Sequence, residues 1–151
     1  MKVAMIYAPK KFGIEEVETP KVESENEVLV KIKAAGVCGS DLHYHRKEGE
    51  PTHRRAGGHE FSGKVVEVGN SVSHVKPGDR VGIEPLVGCG NCRFCSAGKY
   101  HLCKELRHIS GGFGEYTKVP ADKVFKLPEN VSYEAASIVD CVAVGVHAIQ
   151  R

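Results

Sequence analysis

The chain has 151 residues, 41% of them apolar and 26% charged, with a net charge of +2. That is the composition of one globular domain with a core of its own. The small charge and the short basic clusters argue against nucleic acid or an acidic membrane surface as a partner. No apolar run approaches the roughly 20 residues of a membrane helix. The N-terminal MKVAMIYAPKKFGIEEVE has too short an apolar run, and no small-residue cleavage site, to read as a signal peptide. The expectation is a cytoplasmic protein, and in that compartment clustered cysteines read as metal ligands rather than disulfides.

In chain order, VAMIY (3–7) reads as an opening strand followed by a turn. EVLVKIKAAG sets Val28, Val30 and Ile32 against Lys31 and Lys33, a half-buried strand. HEFSGKVVEVG carries Val65, Val66 and Val68 and reads as the next strand. KPGD follows, with Pro77 and Gly78 suited to the centre of a type II turn, and RVGIEP returns as a strand. GGFGEYTKVP and KVFKLP add two more. From Asn130 the pattern changes. Ser132 suits a helix N-cap, Glu134 its first turn, and Ala135, Ala136, Ile138, Val139, Val142, Ala143 and Val146 an apolar surface. The expected organisation is a barrel-like β domain over 1–131, interrupted by a cysteine-rich lobe at 88–103, and a helix over 132–151. That helix runs to Arg151 without a cap or polar tail, which reads as a fragment, a natural truncation or an expressed domain. Its exposed apolar face favours self-association.

Four of the six cysteines fall in GCGNCRFCSAGKYHLC at the spacing C-x2-C-x2-C-x7-C. Thiolates from one compact loop suit tetrahedral zinc, and four of them leave no open position, so Cys89, Cys92, Cys95 and Cys103 read as a structural site. In small peptides such a site contributes about 10–16 kcal/mol of folding energy. The bacterial iron–sulfur run ends C-x3-C-P; here the last gap is seven and Lys104 follows Cys103, which favours zinc. The chemistry is expected elsewhere, around Cys38 in AAGVCGSDLHYH and His59-Glu60 in GGHEF. Taken singly, a cysteine is more often packing and a histidine a satisfied polar group. Both lie at strand ends, where a scaffold aims ligands into a cleft.

VCGSDLHYH, GGHEFSGKVVEVG, KPGDRVGIEP, GCGNCRFCSAGKYHLC, GGFGEYTKVP and LPENVSYEAASIVDCVAVGVHA resemble, in order, the zinc-containing medium-chain alcohol dehydrogenases, and most of all their sorbitol, xylitol and threonine dehydrogenase branch. The resemblance covers nearly the whole chain. It implies a GroES-like, partly open β-barrel with a catalytic and a structural zinc. By the same resemblance Cys38 and His59 are catalytic zinc ligands and Glu60 is an acidic neighbour that ligates in some states. Asp41 orients the ligand histidine, Ser40 bonds the substrate oxygen, and His43 continues a proton relay. For the third ligand the family has Cys, Glu or Asp, often Glu-Pro in the polyol branch. Asp140 stands at the acid's place and Cys141 where proline would be, and Glu60 is the alternate. Neighbours on a helix point about 100° apart, so Asp140 and Cys141 are not expected to share one metal. Cys141 reads as a small buried apolar residue.

A second departure is RRAGGHE, where Arg54 and Arg55 replace proline and apolar residues. They read as solvated surface arginines rather than a polar approach matched to an anionic substrate. His45, His53, His74, His101 and His108 read as ordinary surface or loop residues. The implied activity is alcohol or polyol oxidation with hydride transfer to NAD or NADP, in a protein that forms a homodimer or homotetramer at full length. The glycine groups GVCGS and SGGFGE do not open a helix after a strand, so no dinucleotide (Rossmann) domain is expected within the chain, and the chain alone is not expected to turn over. The alternatives are a non-catalytic zinc-binding module of the same fold, and an iron–sulfur carrier, which would be brown rather than colourless.

Overall fold

The computed structural model describes residues 1–46 and 55–150; His53 and Arg54 lie outside them. The chain is mainly β. Strand β1 (Lys2–Ala8) forms a hairpin with β2 (Lys11–Glu16) and pairs on its other side with the short β4 (Arg55–Ala56). The larger sheet holds five strands, in the order β10 (Val124–Lys126), β6 (Arg80–Ile83), β5 (Glu60–Val68), β3 (Glu27–Gly36) and β9 (Tyr116–Pro120). A bridge between Val3 and Gly114 joins the two sheets. Every strand pairing among the described residues is antiparallel, so they contain no parallel β-α-β unit of the kind that binds dinucleotides. Nor is any described helix long and apolar enough to cross a membrane.

The core gathers Val28 and Val30 from β3, Phe61 and Val65 from β5, Val81 and Ile83 from β6, Val119 from β9 and Val124 from β10. Each such side chain contributes about 1.5–3 kcal/mol on burial. β3 is paired along both edges, and a register irregularity between Leu29 and Val30 turns Leu29 inward as well. Its apolar content is therefore less one-sided than simple alternation suggests. The KPGD turn forms as expected: Gly78 sits at φ +95° and the Asp79 N–H donates to the Lys76 carbonyl at 3.1 Å.

The last segment is two helices rather than one. α3 (Tyr133–Ser137) is capped by the Ser132 hydroxyl, which accepts from the Ala135 N–H at 3.1 Å. Ile138, at φ −101° and ψ 15°, interrupts the helix, and α4 (Val139–Ile149) follows it. Ala136 is buried, whereas Val142, Val144, Val146 and Ile149 stand exposed on α4. Arg80 fixes where this pair begins. Its guanidinium donates to the Glu129 carbonyl at 3.0 Å and to that of Val131, and lies 4.7 Å from the centre of the Tyr133 ring. The Ser62 hydroxyl adds a 2.6 Å bond to the Tyr133 carbonyl.

Two glycines show why GGHE precedes β5. Gly111 and Gly112 donate their N–H groups to the carbonyls of Gly57 and Gly58 at 3.1 and 3.0 Å, so two glycine pairs from distant parts of the chain pack backbone to backbone. Gly58 has φ +81°, and a Cβ there would lie 2.8 Å from the Phe113 nitrogen. Gly58→Ala should therefore cost about 2–3 kcal/mol for the strained backbone. Gly145, inside α4 with nothing within 4 Å of a built Cβ, should gain about 1 kcal/mol as Gly145→Ala. Urea unfolding of the two variants checks both signs.

Candidate metal centres

Two groups of metal-binding side chains assemble, one in the lobe and one at the ends of β3 and β5. In the lobe, Cys89, Cys92, Cys95 and Cys103 bring their sulfurs within 4.8 Å of one another. The Cys89–Cys95 separation is 4.0 Å, close to the ~3.8 Å edge of a tetrahedron with zinc–sulfur bonds of ~2.3 Å. The short helix α2 (Arg93–Ser96) turns the loop back on itself. Cys103 is buried and accepts N–H groups from Cys89 and Glu105, each at 3.4 Å. Such donors stabilise negative charge on a sulfur. Gly88 leaves the space: a Cβ there would lie 2.6 Å from the Cys95 sulfur. The Cys95 backbone N–H draws the Cys92 thiol down to about 7, while burial pushes Cys95 up to about 11. The thiols thus compete for a small shared volume, which a dication relieves.

The lobe is tied to the sheet by a buried lysine. Lys123 is 6% exposed, bonds the Glu84 carboxylate at 3.1 Å and sits 4.0 Å from the centre of the Tyr100 ring. Burial, followed by the Glu84 carboxylate, pushes the Tyr100 hydroxyl up to about 12. No sequence pattern announces this group, because its members are far apart in the chain. The strands β7 (Leu86–Val87) and β8 (Arg107–His108) pair at the base of the lobe.

At the second centre, Cys38, His59 and Glu60 each place a ligand atom within 4.8 Å of the others. Cys38 immediately precedes helix α1 (Gly39–Arg46). Asp41 accepts the Cys38 N–H on Oδ2 at 3.0 Å, the reach-back half of a capping box. The partner the structure gives Asp41 is thus the Cys38 backbone. Ser40 and His43 are exposed along α1. Tyr44, next to His43, lies 4.6 Å under the guanidinium of Arg55, which is half-buried rather than freely solvated.

Glu60 is the unusual member, a carboxylate only 4% exposed. It pairs in register with Gly36, where a Cβ would lie 2.6 Å from Glu60 Oε2. The strand partner must be glycine for this rotamer to exist. Oε1 accepts the thiol of Cys141 at 3.1 Å. Cys141 is therefore not a buried apolar group; it is exposed, with its sulfur turned to Glu60. The bond to Glu60, together with burial, pushes that thiol up to about 11. Asp140 faces elsewhere and is absent from the trio. It lines a cleft of about 780 Å³ between α4 and the lobe, with Glu84, Tyr100, His101 and His147. Burial raises the Asp140 carboxyl above its ordinary value; His59 opposes this, and the charges of Glu60 and Glu84 add to it. His74 bonds the Ala121 carbonyl at 3.0 Å and His45 stacks on Phe12, so neither belongs to a centre.

Residues 24–129 match the family described as "Alcohol dehydrogenase GroES-like domain". The chain is 38% identical to the sorbitol dehydrogenase of Bacillus subtilis (strain 168), covering all of this chain and 45% of that protein. Its fold superposes with a TM-score of 0.92 on galactitol-1-phosphate dehydrogenase from Escherichia coli, at 35% identity over 99% of this chain and 44% of the other. An alcohol dehydrogenase (RspB) from E. coli CFT073, solved with NADH, gives a TM-score of 0.88 at 39% identity over 97% of this chain and 44% of that one. The chain thus spans less than half the length of these relatives. With the family matched over most of its residues, this chain belongs to the alcohol dehydrogenase GroES-like domain family.

Proposed function

We propose that this chain is the catalytic domain of a zinc-dependent alcohol or polyol dehydrogenase that uses NAD or NADP. The observation that carries the reading is the convergence of a thiol, an imidazole and a buried carboxylate within 4.8 Å, beside a helix whose exposed face offers a hydroxyl and a second imidazole. Sulfur, nitrogen and oxygen donors in a set of three suit a zinc that keeps one position open. Gly36 opposite Glu60 supports the fit, since a side chain there would fill the space the carboxylate occupies. The lobe thiols are the structural set. A non-catalytic module of this fold has no use for the second group.

Zinc in that site supplies Lewis acidity, which makes an alcohol hydroxyl easier to deprotonate. The chain's own part is to hold and to relay. Ser40, in the first turn of α1, accepts the hydroxyl proton, and His43, three residues on, lies on the same side of the helix and passes it towards solvent. Asp41 holds Cys38 at the helix start by taking its N–H. Among the described residues there is no parallel β-α-β unit to hold a dinucleotide, because every strand pairing is antiparallel. The substrate is a small alcohol or polyol, in keeping with the names of the relatives.

The test is cofactor reduction by the whole protein against a panel of alcohols, polyols and polyol phosphates. Cys38→Ser should abolish turnover. Ser40→Ala should lower kcat by about 10²–10⁴-fold, the usual size of a proton-transfer contribution, while metal content stays unchanged. Full activity in Cys38→Ser would refute the proposal. Gly36→Ala is a second check: by crowding Glu60 it should weaken zinc binding at this site and leave the lobe zinc in place, as read by zinc retained after dialysis against a chelator.

A further inference from the structure

Glu60 is held from two sides. On one, Oε2 packs over Gly36, at the end of β3. On the other, Oε1 takes the thiol of Cys141 at 3.1 Å, across 81 residues of sequence. Ile138, which breaks α3 from α4, lies against the same spot, its Cγ2 being 3.5 Å from a Cβ built at Gly36. The break thus sets the direction in which Cys141 leaves the first turn of α4. Asp140, one residue earlier, is turned into the cleft beside Glu84 and Tyr100. A residue step of about 100° around the helix separates the two, and it is the thiol, not the acid, that faces the Cys38–His59–Glu60 group.

We infer that Cys141 is a positioning residue for Glu60: its thiol fixes the carboxylate so that Glu60, and not Asp140, completes the donor set with Cys38 and His59. The inference rests on the metal-site reading above and adds to it. Ligating carboxylates are commonly held by an outer hydrogen bond, and losing such a partner costs 10- to 100-fold in metal affinity. Here the partner comes from the first turn of α4, just past the break at Ile138. The position of α4 therefore acts on the metal affinity of the sheet, through one thiol.

The test measures zinc affinity of this chain by competition with a chromophoric chelator, assigning the second equivalent by its loss in Cys38→Ser. Cobalt in the same site, read as the difference spectrum against Cys38→Ser, counts thiolate ligands. Cys141→Ala should weaken the second equivalent at least tenfold. Cys141→Ser, which keeps an O–H donor, should restore most of that affinity. The cobalt difference spectrum should keep the intensity of a single thiolate in native protein and in both variants. Unchanged affinity in Cys141→Ala overturns the inference. So does a loss of charge-transfer intensity in both variants, since Cys141 would then be a ligand itself. Asp140→Asn weakening the site as much as Glu60→Gln would give the third place to Asp140 and also overturn it. A native chain that takes no second equivalent sinks the metal-site reading, and this inference falls with it. Cys141 is exposed, and lobe zinc retained in each variant confirms that it has folded.

Discussion

A carboxylate buried at the end of a strand is costly unless something meets its charge or its lone pairs. Glu60 is in that position, and much of the architecture around it follows from the need to meet it. The facing strand residue is glycine, because any side chain would collide with Oε2. The preceding residues include Gly58, whose positive φ and tight contact with Phe113 set the path of the chain into His59 and Glu60. One thiol from the first turn of α4 meets Oε1. On the proposed reading, a dication shared with Cys38 and His59 would balance the charge. Core packing around Phe61, the next residue, locks the strand that carries it.

The lobe is organised on the same principle at larger scale. It has little apolar material of its own; its four thiols surround a point suited to zinc, and its attachment to the sheet runs through buried Lys123, Glu84 and the Tyr100 ring. Breaking one partner of such a buried pair leaves an uncompensated charge, which is more costly than the pair is favourable. The lobe meets the sheet at the end of β6, where Ile83 is core and Glu84 faces the cleft that Asp140 also lines.

The sequence was most legible where one physical signal dominates. The large sheet showed itself in valine-rich runs bounded by glycine and proline, and the lobe in cysteine spacing that few other constraints produce. Cys38, His59 and Glu60 were legible as a group only through the family resemblance; the fold places their ligand atoms within 4.8 Å of one another. The misses share a cause. GSDLHYHR forms α1 although it has no apolar stripe, and Asp41 caps its start. KFGIEE forms β2 by pairing with β1, with Phe12 and Ile14 left outside. The single helix expected over 132–151 is broken at Ile138, which packs towards Gly36. Cys141 was read by its local neighbours, but its role depends on Glu60, and that contact has no local signature.

The central claim is that this domain builds two separate zinc sites, one from the lobe thiols and one around Cys38, His59 and Glu60. Elemental analysis of zinc per chain, on native protein and on Cys38→Ser, tests it most directly. The account predicts two zincs in the native chain and one in the variant. One zinc in both would mean that only the lobe is metallated, and would contradict the second centre.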